Sequence, residues 1–261
     1  MGLYLKLIEK SILSKLEYRM SFYISVVSMI LYYVVQFSVV VFTVYKFKSI
    51  NGWHIEEISF LYAFILLAQG TNTLLFGPLI RFDELIRKGE WDYLLIRPFN
   101  PFGALLCMKF DPSAIAQFFI GIVFFIYSVA SIGIGFSFLN ILMYLQIWIG
   151  GSLILASIRI FVASIAFFAV SIESLVHFFV YSSKEFIMYP INIYKSPVPF
   201  LLTFILPLAF INYYPVHIFL EKDILYSGIF KYFSLPVGMI FIGASALFFR
   251  YGMKKYHSTG T

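Results

Sequence analysis

The chain has 261 residues, of which 61% are hydrophobic and 12% charged, whereas a soluble domain carries about 25% charge. An integral membrane protein is expected, a single transmembrane domain over residues 1–261 with no room for a soluble catalytic domain beside its spans. The formal charge of +6 lies beside apolar runs, which points to membrane lipids at an anionic leaflet and away from nucleic acid.

Residues 1–20 carry Leu5, Ile8, Ile12 and Leu16 at spacings of three and four, with Lys6, Lys10 and Glu17 on another side. That period predicts an amphipathic interfacial helix, although Leu3 and Leu7 fall outside the stripe. Its polar start and the long apolar run behind it differ from a cleavable signal. A first span is expected over 22–47, then a loop over 48–57 turning at Asn51-Gly52. A second span, 58–80, carries Gln69, Gly70 and Asn72, residues that suit either a helix–helix seam or a substrate pathway.

Between this span and the next lies the longest polar passage of the chain, Asp83 to Pro101, DELIRKGEWDYLLIRPFNP. It reads as a short amphipathic helix containing Gly89 and stopped by Arg97-Pro98. Its apolar residues have two possible covers, a soluble partner protein or lipid at the interface. In the first case Trp91, Tyr93 and Leu94 are expected to fill a pocket on the partner, and Arg87, Glu90, Asp92 and Arg97 to set register by charge.

A third span is expected over 113–136 and a fourth from about 140 to about 170, with Gly150-Gly151 allowing close approach or a bend. Arg159 lies inside the fourth. It must snorkel near the end, or pair with Glu173 or His177, which sit four apart on one face of the next segment. That segment, 171–189, also carries Lys184 and Glu185 and needs shielding by protein. Pro190, Pro197, Pro199, Pro207 and Pro215 then forbid one clean spanning helix over 189–222, so short broken helices that dip in and return are expected. A last span covers 229–249. With six crossings, the basic clusters of the N-terminus, the 81–110 loop and the C-terminus share one side, the cytoplasmic one.

Chemistry-bearing patterns are missing from the sequence. It holds no phosphate loop, no H-E-x-x-H and no G-x-S-x-G elbow; His54, His177, His217 and His257 are scattered; and Cys107 is the only cysteine. No enzyme, cofactor site or metal site is expected in this chain. Few intramembrane carboxylates and no inverted repeat argue against an ion-coupled carrier.

The loop Gly89, Glu90, Asp92, Leu94, Leu95, Arg97, Pro98, with Pro101 beyond, resembles the G-E-x-D-x-L-L-x-R-P loop of one subgroup of type-2 ABC exporter permeases. Tyr189-Pro190-Ile191, Ile205-Leu206-Pro207, Tyr214-Pro215 and Ser164 to Phe168 are similar to further passages of that family. The resemblance implies an all-α membrane protein of six transmembrane helices. An N-terminal connecting helix, a cytoplasmic coupling helix over 81–110 and re-entrant outer helices over 189–222 go with it. It further implies a separate nucleotide-binding ATPase subunit that carries ATP and Mg, and a second permease, the same or a related chain, completing a dimer in a bacterial or archaeal cell membrane. The coupling residues are then Glu84, Arg87, Glu90, Trp91, Asp92, Tyr93, Leu94 and Arg97. The pathway or gate residues are Gln69, Asn72, Arg159, Glu173, His177, Pro190 and Pro207. Aromatic, nearly uncharged spans fit a lipophilic or amphipathic cargo. A membrane scaffold or regulatory subunit without transport, and a secondary carrier, are the alternatives.

Overall fold

A computed structural model describes residues 2–112 and 114–258, and these residues are helical with no strand among them. Ser113, the expected start of the third span, lies outside the described residues. Helix α1 is Gly2–Glu17 and α2 is Arg19–Phe47, separated at Tyr18. Helix α3 is Ile55–Phe76, and one 3-10 turn, Gly77–Arg81, leads from it into α4, Phe82–Arg87. Helices α5, Glu90–Leu95, and α6, Pro101–Met108, complete the polar passage. Helix α7 is Ala114–Ile132 and α8 is Phe138–Ile165.

The order of packing follows from which helices are apolar all round. Every residue of α3 from 58 to 70 is buried, as expected of a helix with no polar face. It lies between α7 and α8, and α8 in turn packs on the last helix, α10, Ser234–Lys255. Glycines set the closest approaches. A Cβ on Gly70 would stand 2.9 Å from the Phe118 backbone N, and one on Gly150 would stand 2.6 Å from the Ser234 backbone carbon. Gly150 therefore serves the close approach that the sequence offered as one option. Helix α2 is far less embedded, with Tyr33 and Val40 as its buried hydrophobic residues.

Among the described residues five helices are long and apolar enough to cross a membrane, or six if the bent pair Val198–Ile205 and Leu208–Val216 counts as one span. The expected fifth span is not one of them. There, Glu173–Val176, a π-helical stretch His177–Ser182 and Ser183–Glu185 join into α9, about 20 Å of helix at about 1.5 Å per residue. The fourth span likewise ends at Ile165 rather than near 170, and the last begins at Ser234 after a separate 3-10 turn, Gly228–Tyr232. In α1 the packed face includes Tyr4, Leu7 and Ser11. Ile8 and Ile12 of the expected stripe are half-buried with them, whereas Leu5 and Leu16 stay exposed, so the inner side is shifted to include Leu7.

Contacts assign the loops to two ends. Ser11 Oγ donates to the Phe110 carbonyl at 2.9 Å, Lys15 pairs with Asp111 at 3.4 Å, and Ser258 Oγ donates to Asp92 at 2.8 Å. The α4–α6 passage thus shares one end with both termini. At the other end, Asn51 Nδ2 donates to the Asn192 carbonyl at 3.3 Å. Lys222 Nζ there pairs with Glu57 at 3.0 Å and donates to the Gly52 carbonyl at 2.6 Å. Within 193–221, the pieces Val198–Ile205 and Leu208–Val216 are bent by 76°. Pro207 is buried at that bend, as is Pro190 at the start of the segment.

Candidate functional site: the termini-bearing end

The polar passage is a helix–glycine–helix hairpin, not the single helix read from the sequence. Gly89 adopts φ 68° between α4 and α5, a left-handed conformation that an L side chain resists. Asn100 then caps α6, its Oδ1 accepting from Phe102 N at 3.0 Å and Gly103 N at 3.2 Å, with Pro101 at the first helical position.

Trp91 is fully buried. Its ring lies 4.9 Å from Phe82, 6.1 Å from Phe167 and 6.1 Å from Phe249, centroid to centroid. Leu94 is also buried. The expectation that Trp91 and Leu94 reach into a partner is therefore corrected, because both fill space inside this chain. The reason is visible only in three dimensions. Phe167 and Phe249 come from the ends of α8 and α10, and the aromatic cluster they form with Phe82 leaves a slot on the hairpin's inner side. Full burial of a tryptophan in such a cluster contributes about 3–5 kcal/mol against truncation to alanine.

The charges divide in the same way. Asp83 is buried, accepts from Ile172 N at 3.2 Å and pairs with Arg87 at 3.6 Å, while Arg87 Nη1 donates to the Val170 carbonyl at 3.2 Å. These contacts tie α4 to the chain between α8 and α9. Glu90 pairs with Lys109 at 3.2 Å, Glu84 with Lys88 at 3.7 Å, and Asp92 accepts from Ser258. Burial first, and the Asp92 carboxylate second, push the Tyr256 hydroxyl up to about 12, so it stays a neutral O–H beside the hairpin. Neither Tyr256 nor Ser258 had been singled out, since nothing in a tail sequence says what it folds back upon.

Tyr93, Leu95, Ile96 and Arg97 point outward, as do Arg87, Lys88 and Glu90. Ile96 is 81% exposed, and the Arg97 guanidinium lies 4.0 Å over the Tyr93 ring, a geometry that orders both side chains. Beside them a groove of about 400 Å³ is lined by Leu85, Leu94, Leu105 and Met108 together with Lys88, Glu90 and Lys109.

Of the expected pathway residues, Gln69, Asn72 and Arg159 come together between α3 and α8, whereas Glu173, His177, Pro190 and Pro207 do not join them. Gln69 and Asn72 are buried on α3. Arg159 is buried too, and donates to the Asn72 carbonyl at 2.8 Å and to Thr73 Oγ1 at 3.3 Å. It neither snorkels nor meets Glu173 or His177, both of which are exposed on α9. Main-chain and hydroxyl acceptors on α3 take the place assigned to a carboxylate. Among the described residues no group of three or more His, Cys, Asp or Glu is placed to hold a metal ion.

A comparison with protein families matches residues 27–260 to the family described as ABC-2 family transporter protein. Comparisons with curated proteins and with solved structures gave no match. Membrane proteins of this family are transport permeases, not catalytic themselves, that work with ATP-binding subunits. With 234 of its residues matched and five apolar helices of spanning length, the chain belongs to the ABC-2 family of transporter membrane proteins and is a multi-pass permease.

Proposed function

We propose that the permease is the membrane half of an ATP-driven exporter, moved by a separate ATPase subunit that grips the α4–α6 hairpin. The observation that carries this reading is the hairpin's two-sidedness. Its inner side is locked to α8, α9 and α10 through Trp91, Phe82 and Asp83. Its outer side presents Tyr93, Ile96 and Arg97 next to the groove. A lever needs that combination, because force applied outside must reach the spanning helices without being lost in a slack loop. Glu84, Arg87, Glu90 and Asp92 then act as struts that hold the hairpin's shape, and Trp91 and Leu94 act as its internal anchors.

The end bearing the hairpin and both termini faces the cytoplasm on this reading, in keeping with its basic residues. Residues 189–222, in which Asn192 and Lys222 both touch the 51–57 loop, dip in and return as the re-entrant outer helices. ATP and Mg reside on the partner, and a second permease, the same or a related chain, completes the pathway. The exposed face of α9 favours such a neighbour. Glu173, Ser174, His177, Tyr181 and Glu185 lie exposed along it, a poor surface to leave against lipid. The cargo is lipophilic or amphipathic.

The experiment is co-purification of the tagged permease from its native host with any nucleotide-binding subunit it retains, followed by ATPase assay of the pair. The expected result is a stoichiometric complex that Ile96→Asp dissociates while leaving the fold intact. A permease that never retains an ATPase overturns the proposal.

A further inference from the structure

Arg159 on α8 and Lys184 on α9 are both buried cations, and they line one cavity. Arg159 is 5% and Lys184 7% exposed, and the cavity between them is closed by Gln69, Leu155, Phe179 and Val180. Lys184 was expected only to be shielded, and its junction with Arg159 comes from the π-helical turn within α9, which no periodicity announces. Arg159 sits six residues before Ile165, the end of α8, about 9 Å into the helix from that end. A cation at such depth normally finds a carboxylate.

Neither does so here. Neither Arg159 nor Lys184 is in an ion pair with a carboxylate among the described residues, and Glu185, next to Lys184, is exposed. Arg159 has two neutral acceptors, the Asn72 carbonyl and Thr73 Oγ1. Lys184 has the rings of Tyr32 at 5.8 Å and Tyr181 at 5.7 Å. Thr73 Oγ1 in turn donates to Gln117 Oε1 at 3.4 Å, so the acceptor that Arg159 uses is itself shared with a neutral amide. The region therefore holds a guanidinium and an ammonium, and no carboxylate within ion-pair distance of either. Two like charges sharing a low-dielectric space repel each other unless a negative charge comes between them. Two rings facing a cation lower that cost without neutralising it.

We propose that Arg159 and Lys184 form a binding site for the anionic group of an amphipathic molecule, a carboxylate or phosphate oxygen that enters from the membrane while the tail stays outside. The cavity holds about 10 Å³, room for a single oxygen-sized group and no more, so the tail cannot follow. The planar fork of Arg159, fixed by Asn72 and Thr73, is the directional contact, and Lys184 supplies charge. This deepens the export reading by giving the cargo a charge, and it rests on that reading only for the word cargo.

The test uses the full chain in nanodiscs, without ATPase or nucleotide, so its failure leaves the export proposal standing and failed recruitment of an ATPase leaves this one standing. The probes are phosphatidylglycerol and phosphatidylcholine bearing the same acyl spin label, at about 0.5 M salt, where attraction to exposed lysines is screened beyond about 4 Å. The expected result is an immobilised fraction at least ~5-fold more selective for phosphatidylglycerol. That preference falls to near unity in Lys184→Met, persists in Lys184→Arg, and is unmoved by Lys6→Gln with Lys10→Gln. Inorganic phosphate is the second arm. If it releases the labelled lipid, the site accepts a soluble anion; if it does not, the anion comes from the bilayer, and either supports an anion site. No selectivity in the wild type overturns the proposal before any variant is made, and selectivity that survives Lys184→Met but follows Lys6 and Lys10 overturns it as well.

Discussion

Each end of the permease buries a tryptophan, and the two ends use it differently. At the termini-bearing end Trp91 sits in a cluster of phenylalanines, and the surface beside it mixes exposed Tyr93, Leu95 and Ile96 with the charge of Arg97. At the opposite end Trp53 packs on Tyr213 and His217 at 6.0 and 5.6 Å. The surface above Trp53 is polar, lined by Asn51, Asn192, Glu221, Lys222 and Asp223. A buried tryptophan therefore says only that a loop is fastened. On the proposed reading the character of the outward residues separates the two ends, a protein partner at one and water at the other.

The largest expected effects test the fastening itself. Gly150→Leu forces side-chain atoms into Ser234 and the start of α10; in a seam this tight, loss of the folded protein is expected, read as loss of the monodisperse peak in detergent. Trp91→Ala should lower stability by about 3–5 kcal/mol, seen as an earlier thermal transition, and Trp53→Ala should do the same. Equal losses at both ends with recruitment of the ATPase abolished only by Trp91→Ala would sharpen the contrast. Lys222→Met removes the Glu57 pair and the bond to Gly52, both partly shielded, for about 1–2 kcal/mol. It should leave ATPase recruitment untouched and loosen the opposite end, measured by faster amide exchange over 51–57. Smallest of all, Tyr93→Ala and Ile96→Asp should change stability by no more than about 0.5 kcal/mol and yet weaken ATPase binding at least tenfold. If these two variants bind normally, the distinction between the two ends collapses.

Much of this architecture was legible from apolar runs and basic clusters. The helices α2, α3, α7, α8 and α10 lie where hydropathy puts them, because a bilayer-length helix announces itself in composition. The charged loop was legible as the candidate site for the same reason. What could not be read was which side of the hairpin faces inward. Trp91, between Glu90 and Asp92, looks like a surface residue, and only Phe167 and Phe249, arriving from 76 and 158 residues away, make it a core residue. Arg159 was misplaced for a related reason. A charge in an apolar run suggests a carboxylate partner, whereas the Asn72 carbonyl that accepts from it has no sequence signature. The shortened α9 escaped because its π-helical turn shifts the register of every side chain after it.

On the proposed reading, Ile96 lies within cross-linking reach of the ATPase subunit. Ile96→Cys in a Cys107→Ser background, carrying a thiol-attached benzophenone, co-expressed with a candidate nucleotide-binding subunit and irradiated in inverted vesicles, should give a permease–ATPase adduct. The same residue at Asn51 should give none. An adduct at Asn51, or at neither position while the two proteins co-purify, would contradict the account.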